Sequence, residues 1–334
     1  MSVQDTNRPQ IIVLTPVRNE AWVLNAFLKA TSLWADYIII ADQMSTDGSR
    51  EIYKKFPKVK VIDNTLEKMY MSETRKLLFE EAKKIEGDKI LFALDADEFL
   101  SGDFMHTKAW DRILHSKPND CFCWSWMNLK GDDVQKYSIH EKYFWAVHVS
   151  DSSWDGIFPD RVIHEWRLPW PKEADENHTI YIDDFFSIHF ARVNQLRQMN
   201  KERFYKVSSL PVKERYSKVS IIRQYRPEYL TYYDVPADAY CTYQEKGVDI
   251  WDLVNLKDEG DYYTDEIIKC FKENGAKYYS WLDIWDKDWC ERNGIDNPQK
   301  WYHRLFISYM KKTMPYCKSI WVKFIDKFLK ILLK

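Results

Sequence analysis

The chain has 334 residues, which is enough for one large domain or two ordinary ones, and 45% of them are hydrophobic, so a substantial core is possible. Its 49 basic and 51 acidic residues nearly cancel, so the overall charge predicts no general affinity for nucleic acid. The six cysteines include no C-x-x-C pair and no zinc-ligand spacing, which favours reduced thiols over disulfides or a structural zinc site.

The composition of the opening segment and the length of the apolar runs bear on secretion and membrane insertion. The opening residues, MSVQDTNRPQ, are polar and lack a positive segment followed by an apolar one, so we expect no secretion signal. No apolar run is long enough to span a bilayer. These features predict a cytoplasmic protein.

The N-terminal part alternates between apolar strand patterns and amphipathic helix patterns. Strands are predicted over residues 11–14, 37–41, 59–62 and 89–94. Helices are predicted over 21–33, from about Ser49, which would be the N-cap, and over 72–86. The first of these helices is expected to turn Val23, Leu24, Phe27 and Leu28 inward. This alternation predicts an α/β fold with a mainly parallel, doubly wound sheet.

Polar loops follow three of the predicted strands, at residues 15–20, 42–47 and 95–98. In doubly wound sheets, ligands bind beyond the carboxyl ends of the strands. We therefore expect the three loops to converge on one crevice.

The third loop ends the stretch KILFALDADEFL and contains Asp95, Asp97 and Glu98. Acidic groups crowded at the end of a buried strand repel one another unless a cation lies there. Strand alternation would send Asp95 and Asp97 to the same side, where they could share one divalent ion, or bind one ion and a ribose. That geometry suits a nucleotide diphosphate bound through metal, although a charged turn after a core strand gives the same pattern.

The second half of the chain is less regular. Residues 179–190 predict one or two strands, followed by a helix over 191–209 that carries Arg192, Arg197, Lys201 and Arg203. Beyond Leu210 the sequence predicts helices dense in Tyr, Trp and charge. We divide the chain into a catalytic domain at residues 1–210, a helical, aromatic-rich extension at 211–313 and a basic amphipathic helix at 314–334.

That last helix separates charge from apolar side chains. One narrow face carries four lysines, and the opposite face carries aromatic and aliphatic side chains; the two sets are Lys323, Lys327, Lys330 and Lys334, and Trp321, Phe324, Ile325, Phe328 and Leu332. This pattern is typical of a helix lying in an anionic membrane interface. A helix docked on the core or on a second subunit would show the same pattern.

The segments TPVRNEAWVLNAFLKATSLWADYIIIADQMSTDGSREI and LDADEFL resemble those of inverting family 2 glycosyltransferases with the GT-A fold. The resemblance covers roughly the first two hundred residues, and this order of motifs is specific. Gln43 departs from it, because many members have a second Asp there. The resemblance implies a nucleotide-diphospho-sugar transferase fold with a helical C-terminal extension.

The resemblance also implies roles for residues of the first two loops. It assigns the nucleotide pocket to Thr15, Pro16, Arg18, Asn19, Glu20, Asp42, Ser45 and Asp47. Asp42 would accept a hydrogen bond from a base N–H, which favours uracil. Turn chemistry alone would also explain Asp42 and Asp47. Arg75 would bind the diphosphate, although a solvated arginine on its helix is an alternative.

A metal ion and a catalytic base complete the implied site. Asp95 would contact ribose or metal, Asp97 would bind the metal directly, and His189, with His164 as its rival, would be a further ligand. Carboxylates plus an imidazole suit Mn²⁺ or Mg²⁺. The base would be Glu165 or, as second choice, Asp160, each of which could instead be a surface ion pair.

The implied activity is an inverting, hexosyltransferase-type transfer from a nucleotide sugar, UDP-linked in our interpretation, to a saccharide or lipid-linked acceptor in surface glycan synthesis. The protein would then be peripheral on the inner face of the membrane. Two alternatives stay open. A nucleotidyltransferase would normally show a glycine-rich phosphate loop, which residues 15–20 lack. A nucleotide-sugar binding or scaffold protein would have kept the fold without turnover.

Overall fold

The computed structural model describes residues 8–66, 71–131, 133–150, 156–157, 167–172, 178–210, 217–224 and 230–333. The chain divides into two units. The first comprises Met1–Val193 and Tyr232–Leu256, and the second comprises Asn194–Thr231 and Lys257–Lys334. Our division at residues 210 and 313 stays a prediction.

Twelve strands and twelve α-helices occur within these described ranges. The strands are β1 (Gln10–Val17), β2 (Tyr37–Asp42), β3 (Val59–Asp63), β4 (Lys89–Ala93), β5 (Glu98–Leu100), β6 (Cys121–Lys130), β7 (Asp133–Val149), β8 (Gly156–Ile157), β9 (Trp170–Pro171), β10 (Thr179–Tyr181), β11 (Ser187–His189) and β12 (Tyr233–Asp234). The helices are α1 (Ala21–Thr31), α2 (Ser49–Tyr53), α3 (Met71–Lys83), α4 (Lys108–Leu114), α5 (Gln195–Ser209), α6 (Lys218–Gln224), α7 (Cys241–Glu245), α8 (Ile250–Leu253), α9 (Asp261–Asn274), α10 (Lys287–Arg292), α11 (Trp301–Lys312) and α12 (Ile320–Leu332).

The first unit is built on a sheet with the order β3-β2-β1-β4-β7-β6-β11-β5, to which β10 and β12 are also paired. The four strands predicted from the sequence, β1 to β4, run parallel. Antiparallel pairs join β4 to β7 and β7 to β6. The predicted α/β fold is confirmed, and the sheet is mixed beyond β4.

Strand β1 is longer than the apolar pattern predicted. It extends three residues past Leu14, because Thr15, Pro16 and Val17 continue the parallel register with β2. The polar and proline residues hid this continuation, since a strand signal read from apolar side chains ends where they end. Thr15 and Pro16 therefore lie in a strand and not in a loop.

Both faces of the parallel sheet are covered. Ile11 and Val13 belong to the same core as Phe27 of α1, whereas Leu14 belongs to the core on the other face, with Leu78 of α3. This division follows the period of two along β1. The four inward positions predicted for α1 are all buried, and full burial of such a side chain stabilises the fold by about 1.5–3 kcal/mol.

Three strands converge next to the acidic loop that follows β4. Strand β11 pairs antiparallel with β5 and parallel with β6. Its last residue, His189, is thereby opposite Glu98 on one side and Asn128 on the other. Residues far apart in sequence meet here because β11 fills the gap between two strands.

The second unit contains ion pairs along α5 in which the basic side chains are buried. Nη1 of Arg197 is 2.7 Å from Oδ1 of Asp258, and Nζ of Lys206 is 3.0 Å from Oδ1 of Asp283. Arg203 pairs with Asp286. Arg197 and Arg203 of this basic helix thus form ion pairs inside the second unit.

Two further expectations can be compared with the structure. All six cysteines are described, and none is in a disulfide, as the spacing indicated. Among the described helices, none is both long enough and apolar enough to cross a lipid bilayer.

Candidate active site

The loop between β4 and β5 turns sharply. The Glu98 N–H donates to the carbonyl oxygen of Asp95 at 3.1 Å, so Asp97 lies within a turn. Alternation along a strand was therefore the wrong reason to group Asp95 with Asp97, because the strand ends at Ala93. The turn buries Asp97 and Glu98 and leaves Asp95 partly exposed.

Asp97, Glu98 and His189 form a cluster able to hold a cation. One ligand atom of each lies within 4.8 Å of the others, and Oδ2 of Asp97 is 3.6 Å from Nε2 of His189. Nδ1 of His189 is 2.7 Å from Oδ1 of Asn128, and because an amide oxygen accepts, Nδ1 donates. Nε2, the other ring nitrogen of His189, lies on the side of Asp97. An outer hydrogen bond of this kind orients metal-ligating histidines, so these groups fit a divalent ion.

The Glu98 carboxylate already accepts four hydrogen bonds. Oε1 accepts from Trp126 Nε1 at 2.9 Å and from Arg167 Nη2 at 2.8 Å. Oε2 accepts from the Asp95 N–H at 2.8 Å and from Arg167 Nη1. A carboxylate offers about four lone-pair directions, so these four hydrogen bonds use the accepting capacity of Glu98. Two of them come from Arg167, and Glu98 therefore holds the guanidinium of Arg167 in place. Asp97 and His189 are the other two members of the cluster.

Arg167 lies between two aromatic rings. The centre of its guanidinium is 5.0 Å from the ring of Trp126 and 4.7 Å from the ring of Trp145. Its burial disfavours the charge, but Asp95 and Glu98 outweigh this and raise the pKa of Arg167 above its ordinary value. The rings fix the plane of the guanidinium, which suits a fork-like contact with two carboxylates.

Asp95 lies between two arginines. Oδ1 is 2.8 Å from Nη2 of Arg75, and Oδ2 is 2.9 Å from Nη2 of Arg167. Burial alone would raise the pKa of Asp95, but Arg167 and Arg75 outweigh it, and the pKa of Asp95 is lowered. Burial raises the pKa of Glu98, in spite of Arg167, and the charge of Asp95 adds to the rise. The two arginines thus favour the charged form of Asp95.

Arg75 has a spare donor. The side chain is buried, and Nη1 has no hydrogen-bond partner among the described residues. Burial lowers the pKa of Arg75, against the attraction of Asp95. A buried donor without a partner costs about 1–3 kcal/mol, and an anion beside the acidic loop would remove this cost.

Hydrogen bonds join the first loop to the turn after β2. The Asn19 N–H donates to Oγ of Ser45 at 2.9 Å, and the Thr46 N–H donates to Oδ1 of Asn19 at 2.7 Å. Arg18 and Glu20 are partly buried beside them, and Glu20 accepts from Trp22 Nε1 at 2.6 Å. The two loops predicted to converge are thus in direct contact.

The two aspartates of the second turn have internal partners. Asp42 is fully buried and accepts from the Ser45 N–H (3.0 Å), from Arg50 Nε (3.0 Å) and from the Tyr53 hydroxyl (2.8 Å). Asp47 accepts from the Ala21 N–H at 2.8 Å and from the Ser49 N–H at 3.0 Å. Ser49 was predicted to be the N-cap of α2, and this was wrong. The N-cap is Gly48, whose φ is +96°. The nucleotide-binding roles of Asp42 and Asp47 stay predictions.

Thr15 also lies at this edge of the sheet. It is fully buried at the end of β1, and its Oγ1 has no hydrogen-bond partner in the described part of the chain. Pro16 follows it and is partly buried. A buried hydroxyl of this kind offers a donor and an acceptor to a ligand in the crevice.

The predicted bases cannot be compared with the structure. Glu165 and Asp160 lie outside the described residues, and so does His164, the rival of His189. Their assignments stay predictions.

Sequence reasoning missed several residues of this site. Trp126 and Asn128, two positions apart on β6, both contact His189; residues at i and i+2 of a strand share one face, but β6 was not predicted from the sequence. Arg167 and Trp145 gave no signal, because a single arginine is usually a solvated surface residue and a single tryptophan usually packs in a core.

Comparison of the chain with models of protein families identifies its family. The model of "Glycosyl transferase family 2" matches residues 12–192, more than half of the chain. The chain belongs to glycosyl transferase family 2. The region matched to glycosyl transferase family 2 contains every residue that we predicted for the site. None of the curated proteins compared with the chain matches it significantly.

Solved structures resemble this glycosyl transferase family 2 chain only weakly. The crystal structure of 4-diphosphocytidyl-2C-methyl-D-erythritol synthase is 16% identical, with a TM-score of 0.23, and the match covers 27% of this chain and 47% of that one. Glucosyl-3-phosphoglycerate synthase from Mycobacterium tuberculosis, in complex with Mn²⁺, UDP and glucosyl-3-phosphoglycerate, is 16% identical, with a TM-score of 0.26 and coverages of 35% and 44%. The chain thus spans less than half the length of either solved protein.

Proposed function

We propose that this protein is a metal-dependent glycosyltransferase of the GT-A type, which transfers a sugar from a nucleotide sugar to an acceptor hydroxyl with inversion. Membership of glycosyl transferase family 2 supports the reaction class. The observation that carries the metal-dependent site is the pairing of Asp97 with His189, 3.6 Å apart, beside the buried, incompletely paired Arg75. Cation ligands next to an anion donor are what a nucleotide diphosphate requires.

Asp97 and His189 would hold the ion, with Asp95 or Glu98 nearby. Mn²⁺ and Mg²⁺ both accept this mixture of oxygen and nitrogen ligands. The ion would supply positive charge that stabilises the leaving diphosphate. Asp95 would bind the ion or a ribose hydroxyl while its contacts with Arg75 and Arg167 keep it ionised.

The chain's own residues would bind and orient the donor. Nη1 of Arg75 would donate to a phosphate oxygen. Asp42 would accept from a base N–H, and we propose uracil; its Oδ2 accepts from the Tyr53 hydroxyl, and a carboxylate oxygen can accept more than one hydrogen bond. Thr15 and the joined loops around Asn19 and Ser45 would form the walls of the nucleotide pocket.

The acceptor hydroxyl would attack the anomeric carbon on the face opposite the diphosphate. Inversion in a single displacement requires a base that takes the hydroxyl proton. We assign this role to Glu165, with Asp160 as second choice. The acceptor that we propose is a saccharide or a lipid-linked saccharide, and the transferred unit is a hexose. The protein would then work as a peripheral protein at the inner face of the membrane in surface glycan synthesis.

Calorimetric titration with UDP, GDP, CDP and ADP, with and without Mn²⁺, tests the donor and metal assignments together. We expect one nucleotide, UDP, to bind tightly only with metal. Asp97→Ala should lose metal-dependent binding and sugar transfer without unfolding, whereas Asp111→Ala, at an exposed carboxylate on α4, should behave as the wild type. Normal turnover by Asp97→Ala would refute the metal role, and no nucleotide binding under either condition would refute the proposed function.

A further inference from the structure

The helix α12 is attached to the rest of the second unit by a narrow stripe. Val322 and Asp326 are buried. Nε and Nη2 of Arg223 contact the two oxygens of Asp326 at 2.9 and 3.0 Å, and the Tyr309 hydroxyl donates to Oδ1 of Asp326 at 2.9 Å. This polar contact fixes which face of α12 is turned away from the unit.

The face turned away from the unit is apolar. At about 100° per residue, seven exposed apolar side chains form one continuous stripe along α12. The exposed fractions of Trp321, Phe324 and Phe328 are 79%, 70% and 60%. The stripe consists of Ile320, Trp321, Phe324, Ile325, Phe328, Ile331 and Leu332, and we call it the apolar stripe. Contiguous exposed patches of this kind mark binding surfaces.

Lysines border the apolar stripe on one side. Lys323, Lys327 and Lys330 are exposed and lie between the apolar stripe and the attached stripe on the helical wheel. The acidic residue of α12, Asp326, is buried against Arg223. The exposed surface of α12 therefore carries positive charge and no negative charge.

We infer that the apolar stripe and its three lysines bind the surface of an anionic phospholipid bilayer. Aromatic and aliphatic side chains would enter the boundary between headgroups and acyl chains while the lysine ammonium groups reach the lipid phosphates. Charge complementarity favours this partner over a second copy of the chain. A second α12 would bring the same lysines and no exposed carboxylate to meet them.

This inference specifies how the protein would reach the membrane location given in the proposed function. It rests on the proposed function only for the benefit of such binding, which is access to a membrane-bound acceptor. The binding itself needs no turnover. The contacts that carry it lie in the second unit, whereas the candidate active site lies in the first unit. Each part can therefore fail without the other.

Cosedimentation of the full chain with lipid vesicles tests the inference. We expect binding to phosphatidylcholine vesicles containing about one third phosphatidylserine, and weaker binding to pure phosphatidylcholine, since each lysine near an anionic surface contributes about fivefold. The double variant Phe324→Glu/Phe328→Glu should lose more than tenfold in partitioning. The triple variant Lys323→Gln/Lys327→Gln/Lys330→Gln should lose its preference for anionic vesicles.

Matched controls separate this surface from general effects. Tyr181→Glu changes an exposed aromatic side chain in the first unit, and Lys29→Gln/Lys54→Gln/Lys55→Gln makes the same change in charge at exposed lysines of the first unit; both should bind vesicles as the wild type does. UDP binding should be the same in all variants, so a failed donor site would appear in that assay alone. The inference would be overturned if the α12 variants bound vesicles as strongly as the wild type does. It would also be overturned if the wild type bound no vesicles and instead formed a dimer that Phe324→Glu/Phe328→Glu dissociates.

Discussion

Replacement of Arg167 by alanine is the sharpest test of the electrostatics of the candidate active site. The side chain is only 14% exposed, and its guanidinium contacts both Asp95 and Glu98. Among the described residues, alanine would leave Arg75, which contacts Asp95, as the arginine paired with these carboxylates. Glu98 would keep the donors from Trp126 and the Asp95 N–H but lose its countercharge.

The size of the effect follows from these contacts. Removing one partner of a buried ion pair typically costs about 3–5 kcal/mol, and contacts of the guanidinium with two indole rings add about 0.5–2 kcal/mol. Because Arg75 still compensates Asp95, we expect the lower part of this range, about 3 kcal/mol at neutral pH. The loss should shrink in acid. In the wild type the folded pKa of Asp95 is lowered, so its stabilisation is present above the unfolded pKa and disappears as pH falls through the folded value.

Urea unfolding followed by circular dichroism, without divalent ions, would measure this difference at neutral pH and at a series of lower pH values that extends well below the unfolded pKa of a carboxylate, about 4. Arg112→Ala, at an exposed arginine on α4, is the matched control and should change the free energy of unfolding by less than about 0.5 kcal/mol. A loss below about 1 kcal/mol for Arg167→Ala, independent of pH, would show that the cluster is not a coupled ionic network.

Three other changes probe the nucleotide site and the fold. Arg75→Lys keeps the charge but removes the unpaired Nη1 donor, so UDP affinity should fall about tenfold in calorimetry; unchanged affinity would exclude a phosphate contact. Burial lowers the pKa of His148 in the folded protein, so as pH falls this histidine is protonated first in the unfolded chain. The free energy of unfolding therefore decreases as pH drops below the unfolded pKa of the histidine, by at most about 1.4 kcal/mol per pH unit. His148→Gln should flatten that dependence in urea titrations, and an unchanged slope would contradict the assignment. Gly48→Ala should cost about 1–2 kcal/mol in thermal unfolding, because φ is +96° with no atom nearby to clash; a neutral change would mean that the backbone relaxes there.

The sequence alone predicted the framework of the first unit. Apolar periodicity located β1 to β4 and the inward face of α1, because burial on a sheet or helix leaves a local repeat in the chain. The same reasoning placed the polar loops at one sheet edge, where the structure joins Asn19 to Ser45 by a hydrogen bond. It failed at the end of β1 and at the N-cap of α2, where backbone pairing and a positive φ, rather than side-chain pattern, decide the boundary.

Tertiary structure decided how the acidic residues are used. Asp95, Asp97 and Glu98 are adjacent in sequence, yet Asp95 and Glu98 pair with Arg167 while Asp97 faces His189. Arg167 and His189 reach these carboxylates from positions about 70 to 95 residues later in the chain, and no local period encodes such a distance. The sequence by itself indicated that the carboxylates of Asp95, Asp97 and Glu98 gather at this edge of the sheet. Which carboxylate meets an arginine and which meets an imidazole depends on the turn after β4 and on β11 lying between β5 and β6.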